Sequence, residues 1–253
     1  MCNLCDIKNH AAANNAHIGR RSFLKAAGTL PLWAGAIGST SFLPSALAAD
    51  ATPKPENILT PDAALARLLS GNKRFVEGDV IKNPSFKNIP ASLRSGQNPY
   101  ACILSCADSR VGPELCFDEG QGDLFVARLA GNYVNTDMLA SLEYGALMLK
   151  SPLIMVLGHT ECGAISAAIK AEKDNVDFPG HIQVIASKLD QAVRLSKPEG
   201  GKRTAEVAKE NVRLNVAELR QSTPILRKLV DAGQLKIVGG LYDLDTGKVS
   251  LVV

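Results

Sequence analysis

Short, uninterrupted apolar runs alternate with longer helical segments between residues 100 and 253, and this alternation is the feature that most restricts the fold. Two of the runs, YACILS at 100–105 and PLIMVL at 152–157, lack the alternating polar positions of a half-exposed strand. Such strands are buried on both faces, which is typical of a parallel sheet with helices on both sides. The sequence therefore predicts a single α/β domain with a mainly parallel β-sheet.

The same patterns predict the order of the elements. Strands are expected at 100–105, 123–129, 152–157, 235–241 and 248–253. Helices are expected at about 61–78, at 136–150, from 164, and at 182–195, 202–220 and 224–232. Thr60 can cap the first helix, and Pro61 suits its first turn. The Asp245-Thr246-Gly247 turn joins the last two strands, so the fifth is expected to be an antiparallel edge strand.

The first 48 residues have the pattern of an export signal. Paired arginines at 20–21 precede an apolar, Gly/Ala-rich run at 26–43, and Ala-Leu-Ala at 46–48 is a small-residue cleavage signal. The arginines resemble a twin-arginine signal, although Gly19 stands where Ser or Thr is usual. We expect cleavage after Ala48, recognition of the leader by export machinery, and a periplasmic or otherwise exported protein. The alternative, an uncleaved membrane anchor, fits poorly because Gly and Pro interrupt the run.

The charge of the chain is concentrated in this leader. Residues 1–48 carry four basic residues and one acidic residue, a net charge of +3 that equals the net charge of the whole chain. Residues 49–253 therefore sum to zero, which gives them no electrostatic reason to bind nucleic acid. Residues 49–59 are predicted as a Pro-rich linker, and 60–253 as the folded domain.

Three side chains of metal-binding type follow two of the predicted strands. Cys106 comes directly after the first strand, and His159 and Cys162 follow the third. Because the carboxyl ends of parallel strands meet at one edge of a sheet, we expect these side chains to converge. Two thiolates and one imidazole are a typical zinc set, and three protein ligands leave a fourth position for chemistry. Taken singly, each has a structural alternative, such as a core cysteine or a capping histidine.

The other cysteines receive structural interpretations. Cys102 lies inside the first predicted strand and Cys116 has no matched partner, so both are expected in the core. The C-x-x-C pair at residues 2–5 is expected to leave with the leader. Four remaining cysteines in an exported protein favour disulfides at first sight. A disulfide between the two proposed ligand cysteines, however, would destroy the metal site.

Two segments resemble the β-class carbonic anhydrases. CADSR at 106–110 and GHTECG at 158–163 are similar to the C-x-D-x-R and H-x-x-C motifs of that family. RLAGN at 128–132 resembles its R-N-A-G-N segment, with Leu129 in place of Asn. The resemblance covers roughly residues 60–253. It implies a β-carbonic-anhydrase-like domain, one Zn²⁺ per chain, and a homodimer or homotetramer with active sites at dimer interfaces.

The resemblance also implies roles for the residues of the first motif. Cys106, His159 and Cys162 would hold zinc, with Asp108 as a fourth metal ligand in a resting form. When Arg110 holds the Asp108 carboxylate away, water takes that position, and zinc-bound hydroxide hydrates carbon dioxide reversibly to bicarbonate. Asp108 and Arg110 would then form a catalytic gating dyad. The structural alternative is an ordinary surface ion pair.

Two further site residues and three other functions stay open. Gln97 resembles a substrate-binding glutamine of the plant-like branch, or is a polar loop residue. The backbone N–H of Gly163 is a second candidate for substrate binding. The same fold could act on carbonyl sulfide or carbon disulfide, or Asp108 could close a non-catalytic structural zinc site. A thiol–disulfide protein is disfavoured because residues 49–253 contain no C-x-x-C.

Overall fold

The computed structural model describes residues 52–81, 91–196 and 202–253. The predicted signal peptide and the cysteine pair at 2–5 lie outside the described residues. Five strands form one sheet, namely β1 Ala101–Cys106, β2 Leu124–Leu129, β3 Leu153–His159, β4 Lys236–Tyr242 and β5 Val249–Leu251. Their order is β2-β1-β3-β4-β5, with parallel pairing throughout except between β4 and β5. The predicted parallel sheet with an antiparallel edge is confirmed.

Of the helices in the described residues, two precede the first strand, and the others lie in the connections between β1 and β4. The helices are α1 Pro61–Glu77, α2 Ala91–Ser95, α3 Pro113–Cys116, α4 Thr136–Glu143, α5 Gly163–Asp174, α6 Ile182–Leu195, α7 Arg203–Gln221 and α8 Leu226–Asp231. A 3₁₀ turn at Pro55–Asn57 precedes α1, and a π-helix at Tyr144–Met148 extends α4. None of the helices in the described part of the chain is both long and apolar enough to cross a membrane.

Helix α1 begins and ends where its sequence indicates. The hydroxyl of Thr60 accepts a hydrogen bond from the backbone N–H of Ala63, and Pro61 occupies the first helical position. Gly78 ends the helix with φ of 77°, a left-handed conformation that glycine adopts without steric cost.

The sheet core is buried on both faces because β1 and β3 are central strands. Every residue of both strands is buried. On one face, Ile103 and Met155 belong to a cluster that includes Leu68 of α1. On the other face, Leu104 belongs to a cluster that includes Val212 of α7. Alternate residues of a strand therefore pack against the helices on opposite faces of the sheet. Burial of each large apolar side chain stabilises the fold by about 1.5–3 kcal/mol.

The segment predicted as one helix at 136–150 changes its winding. The α-helix ends at Glu143 and continues as the π-helix. A side chain at Gly145 of the π-helix would lie 2.4 Å from the sulfur of Cys102, so the backbone passes directly over β1. The apolar periodicity identifies a helix here, but this close tertiary contact is not visible in it. The short helices α2 and α3 were also not predicted, because they are too short to give a periodic signal.

Part of the segment predicted as a linker packs on the domain. Lys54 Nζ lies 2.7 Å from Asp123 Oδ1, and the buried Asn57 donates a hydrogen bond to the carbonyl of Gly122. Arg67 of α1 donates two hydrogen bonds to the carboxylate of Glu119. We refer to Lys54, Arg67, Glu119 and Asp123 as the α1 ion-pair network.

Candidate metal centre

The three predicted metal ligands lie at one edge of the sheet. Cys106 is the last residue of β1, and His159 is the last residue of the neighbouring parallel strand β3. Cys162 immediately precedes α5. The turn between β3 and α5 is tight, because Glu161 adopts a positive φ of 53°. The backbone N–H of Thr160 donates to the carbonyl of Tyr242, which ties this turn to β4.

The side chains of Cys106, His159 and Cys162 form a compact buried cluster. Their ligand atoms all lie within 4.8 Å of one another, and each residue is at most 4% exposed. The two sulfurs are 4.0 Å apart, about twice the length of a disulfide bond. Both cysteines are free thiols, as are Cys102 and Cys116. The cluster therefore offers two sulfurs and one imidazole to a common centre.

The orientation of His159 is set by one hydrogen bond. Its Nδ1 lies 2.8 Å from the carbonyl oxygen of Thr160, so Nδ1–H donates and Nε2 keeps its lone pair. Nε2 is buried and has no hydrogen-bond partner. An unpaired buried acceptor facing two thiols is costly unless it binds something. A zinc ion fits this donor set, because a histidine oriented through its other nitrogen is the usual form of a zinc ligand.

The thiols of the cluster differ from the core thiols in their ionisation. The hydrogen bond from Cys162 holds the pKa of the Cys106 thiol below its ordinary range, and the same interaction raises the pKa of Cys162. The pair thus loses its first proton easily and its second with difficulty. Burial raises the pKa of Cys102 and of Cys116 to about 12, which keeps these two thiols protonated and inert.

Asp108 and Arg110 form a bidentate ion pair beside the cluster. Arg110 Nε and Nη2 donate to the two carboxylate oxygens at 2.9 and 2.7 Å, and the backbone N–H of Arg110 adds a third bond at 3.0 Å. These bonds hold the pKa of Asp108 well below its usual range. Asp108 Oδ2 lies 3.9 Å from His159 Nε2. Arg110 also donates to the carbonyl of Glu161, which connects the two motif loops.

Arg128 fixes the loop that carries Cys106 and Asp108. Its guanidinium donates 2.8 Å hydrogen bonds to the backbone carbonyls of Cys106, Asp108 and Val111. From the sequence, residues 128–132 are only similar to a family segment, and no role for Arg128 follows from that similarity. The three carbonyl acceptors come from another strand end, so only the three-dimensional structure reveals this clamp.

The two predicted substrate-binding residues lie in different surroundings. Gly163 directly follows Cys162, is exposed, and has no atom within 4 Å of the position that a side chain would occupy. Gln97 lines a depression of about 440 Å³ together with Leu93 and Gln121. Within the described part of the chain, the lining of that depression includes none of the residues of the metal cluster.

Comparison with known proteins agrees with this geometry. A family model described as carbonic anhydrase matches residues 101–249. Carbonic anhydrase 2 of Mycobacterium tuberculosis is 38% identical over 191 residues, which are 76% of this chain and 92% of that protein. The carbonic anhydrase of Mycolicibacterium smegmatis is 37% identical over 76% of this chain and 93% of its own length.

Solved structures extend the likeness to the fold. The β-carbonic anhydrase CcaA is 26% identical with a TM-score of 0.59, over 75% of this chain and 87% of that one. The β-carbonic anhydrase of Coccomyxa, solved in complex with acetazolamide, is 28% identical with a TM-score of 0.56, over 74% of this chain and 85% of that one. The family match spans both ligand loops and more than half of the sequence, and the chain belongs to the β class of carbonic anhydrases, which are zinc enzymes.

Proposed function

We propose that this chain catalyses the reversible hydration of carbon dioxide to bicarbonate, with zinc held by Cys106, His159 and Cys162 and with Asp108 and Arg110 as a gating dyad. The observation that carries the proposal is the buried, unpaired Nε2 of His159 facing two thiols, beside a carboxylate held by an arginine. The family membership supports the reaction.

Zinc, when bound, supplies Lewis acidity that makes a water molecule acidic enough to react as hydroxide near neutral pH. Asp108 positions the reacting water by accepting a hydrogen bond from it at Oδ2, the carboxylate oxygen nearest to His159, and the released proton passes to buffer. Arg110 holds that carboxylate in one orientation through two parallel hydrogen bonds. The buried walls of the cluster exclude other water from the ligands.

In the proposed gate, the carboxylate of Asp108 binds either to Arg110 or to the metal. With Arg110 as its partner, Asp108 would leave the fourth metal position to water, and the two hydrogen bonds from Arg110 to the carboxylate support this state. Released from Arg110, Asp108 is the proposed fourth metal ligand. Because Arg110 keeps the pKa of Asp108 low, the carboxylate stays ionised at physiological pH. The gate therefore moves by exchange of partners and does not require protonation of Asp108.

We also propose a homodimer or homotetramer. Tyr144, Leu147 and Met148 of the π-helix are 46–64% exposed, and the ring of Tyr144 lies 6.2 Å from that of Phe125 on the edge strand β2. An exposed apolar group next to a sheet edge favours burial by another subunit. Substrate binding by Gln97 would then depend on a second copy, since its own depression does not include the metal cluster.

The leader is proposed to direct the folded protein out of the cytoplasm. The described cysteines are all free and buried, which suits folding and zinc loading in a reducing compartment before export. Replacing Arg20 and Arg21 with lysine should leave the active, zinc-loaded enzyme in the cytoplasm. Fractionation with an activity assay checks this, and unchanged export of loaded enzyme would contradict twin-arginine transport.

The central experiment measures carbon dioxide hydration and zinc content together, in the wild type and in Asp108→Asn. The variant keeps the shape of the side chain but loses the ionised hydrogen-bond acceptor that orients the reacting water, so kcat should fall about 10²–10⁴-fold while zinc stays bound. A wild-type protein with full zinc and no hydration activity would favour the non-catalytic zinc site. Activity on carbonyl sulfide or carbon disulfide in place of carbon dioxide would favour the other alternative.

A further inference from the structure

Helix α7 carries two buried asparagines in the middle of its apolar face. Asn211 and Asn215 are 2% and 5% exposed, and their neighbours on the helix, Val207, Val212 and Val216, are fully or almost fully buried. An amide in such surroundings costs stability unless its hydrogen bonds are made. Spaced four residues apart, the two amides lie on the same side of the helix.

The hydrogen bonds of these amides connect them to each other and to the segment 131–134. Asn215 Nδ2 donates to the backbone oxygen and to Oδ1 of Asn211, at 2.7 and 2.9 Å. Asn215 Oδ1 accepts from the backbone N–H of Val134 at 2.5 Å. Asn211 Nδ2 donates to the carbonyl of Gly131 at 2.9 Å. Both ends of the segment 131–134 are therefore held by α7.

This segment has an unusual backbone. Gly131 and Asn132 have positive φ angles of 87° and 39°. A side chain at Gly131 would lie 2.9 Å from Leu189 Cδ1, so only glycine fits there without a shift. The peptide after Gly131 is fixed at both ends, because the N–H of Asn132 donates to the carbonyl of Leu129 while Asn211 binds the carbonyl of Gly131.

The fixed segment presents one donor to the metal cluster. The backbone N–H of Gly131 points to Cys106 Sγ, with a nitrogen–sulfur distance of 3.4 Å. A hydrogen bond to a ligand sulfur stabilises the thiolate, which is the form that binds metal, and fixes its direction. The carbonyl and the N–H of Gly131 belong to adjacent peptide planes that meet at its Cα, so holding the carbonyl restrains the N–H indirectly, through the backbone angles of Gly131.

We propose that Asn211 is a positioning residue for the metal centre, acting through Gly131 on the sulfur of Cys106, and that Asn215 orients Asn211 for this role. The inference rests on the proposed zinc site and extends it to a helix that contributes no ligand. It predicts that the amide of Asn211 contributes to zinc retention in a way that an equally buried amide elsewhere does not.

The sequence offers a matched control in Asn72 of α1. This residue is 4% exposed, and its Nδ2 also donates to a glycine carbonyl, that of Gly247, as well as to the carbonyl of Cys116. Asn211→Asp and Asn72→Asp each replace the donor with an acceptor of the same shape. If either aspartate prevents folding, Asn211→Ser and Asn72→Ser replace them, because a serine hydroxyl is too short to reach the same carbonyl.

Two measurements on the purified full-length protein separate positioning from general loss of stability. The zinc Kd from competition with a chromophoric chelator should rise about 10–100-fold in the Asn211 variant and stay within about 3-fold of wild type in the Asn72 variant. In the cobalt(II)-substituted protein, the thiolate-to-metal charge-transfer band should shift for Asn211 and not for Asn72.

A folded Asn211 variant with the wild-type zinc Kd and an unshifted charge-transfer band would overturn the positioning role. Equal losses of zinc affinity in the Asn211 and Asn72 variants would overturn it too, because they would indicate a general effect of instability. A wild-type protein that does not bind zinc would overturn the proposed function itself, so the two failures are distinguishable.

Discussion

The metal cluster and the α1 ion-pair network both bring polar side chains together, but only the network provides them with oppositely charged partners. Arg67 donates to both carboxylate oxygens of Glu119 and to Asn57, and its guanidinium lies 4.1 Å above the ring of Tyr100. The hydroxyl of Tyr100 in turn donates to Glu119. In the metal cluster, by contrast, Nε2 of His159 has no hydrogen-bond partner.

This difference separates two reasons for burying polar groups. In the network, each charge faces an opposite charge, so the groups stabilise one packing of α1 and the preceding turn on the domain. In the cluster, two thiols and an imidazole converge on a common centre, and this donor set fits a metal ion. The comparison predicts that substitutions in the network change stability, and that substitutions in the cluster change metal content and catalysis.

The largest effect is expected from Cys106→Ser. A hard hydroxyl replaces a soft thiolate ligand, so zinc should be lost and hydration activity should fall by more than about 10³-fold. Metal analysis and stopped-flow hydration assays check both. Cys116→Ser is the matched control, since this buried cysteine lies outside the metal cluster found among the described residues and donates to the carbonyl of Pro113. Loss of zinc in Cys116→Ser as well would break the distinction between ligand and core cysteines.

Arg67→Met is expected to have a smaller effect, which falls on stability and not on zinc content or activity. The substitution removes the bidentate partner of the buried Glu119, so the free energy of unfolding should fall by about 3 kcal/mol. Zinc content and kcat per folded molecule should not change. Urea unfolding and hydration assays measure the two properties separately. The double variant Arg67→Met with Glu119→Gln should recover part of the stability, because the buried charge is then also removed.

If Arg67→Met lowered zinc content as much as stability, the network and the cluster would be one cooperative unit. The contrast between the two regions would then have to be abandoned.

The strand pattern predicted that Cys106 and His159 would lie close together, because both the strands and the residues at their ends are local features of the sequence. The apolar runs of β1 and β3 are continuous, and Cys106 and His159 stand at their ends. Parallel pairing of the two strands then brings these ends together. The strand boundaries differ from the predicted ones by one or two residues, because the register with neighbouring strands decides which end residue is paired. Tyr100, for example, precedes β1 although it continues the apolar run.

The residues that support the ligands could not be predicted in the same way. Asn211 and Arg128 act on backbone groups that are distant in sequence, and no local periodicity encodes such a partner. The pairing of Arg67 with Glu119 is also a tertiary contact between a helix and a loop. Local sequence therefore specified the donors of the site, whereas the groups that hold them depend on how the elements pack.

The smallest effect concerns the core thiols, and it sharpens the contrast between them and the cluster. Burial raises the pKa of Cys116 from 9.0 to about 12. Below pH 9 the thiol is protonated in both the folded and the unfolded chain, so the stabilisation that comes from its raised pKa is fully present. Between pH 9 and 12 the unfolded chain releases this proton and the folded chain keeps it. Stability should therefore decrease by about 1.4 kcal/mol per pH unit through this residue alone.

Cys116→Ser removes this titration, so its unfolding free energy should decrease less steeply with pH than that of the wild type. Urea unfolding of both proteins at pH 8, 9, 10 and 11, with a thiol reductant present, gives the two slopes. Some decrease should remain in the variant, because burial also raises the pKa of Cys102 to about 12. Identical slopes would mean that Cys116 ionises as easily in the folded chain as in the unfolded one. Burial would then not explain why the core thiols and the thiols of the metal cluster differ in pKa.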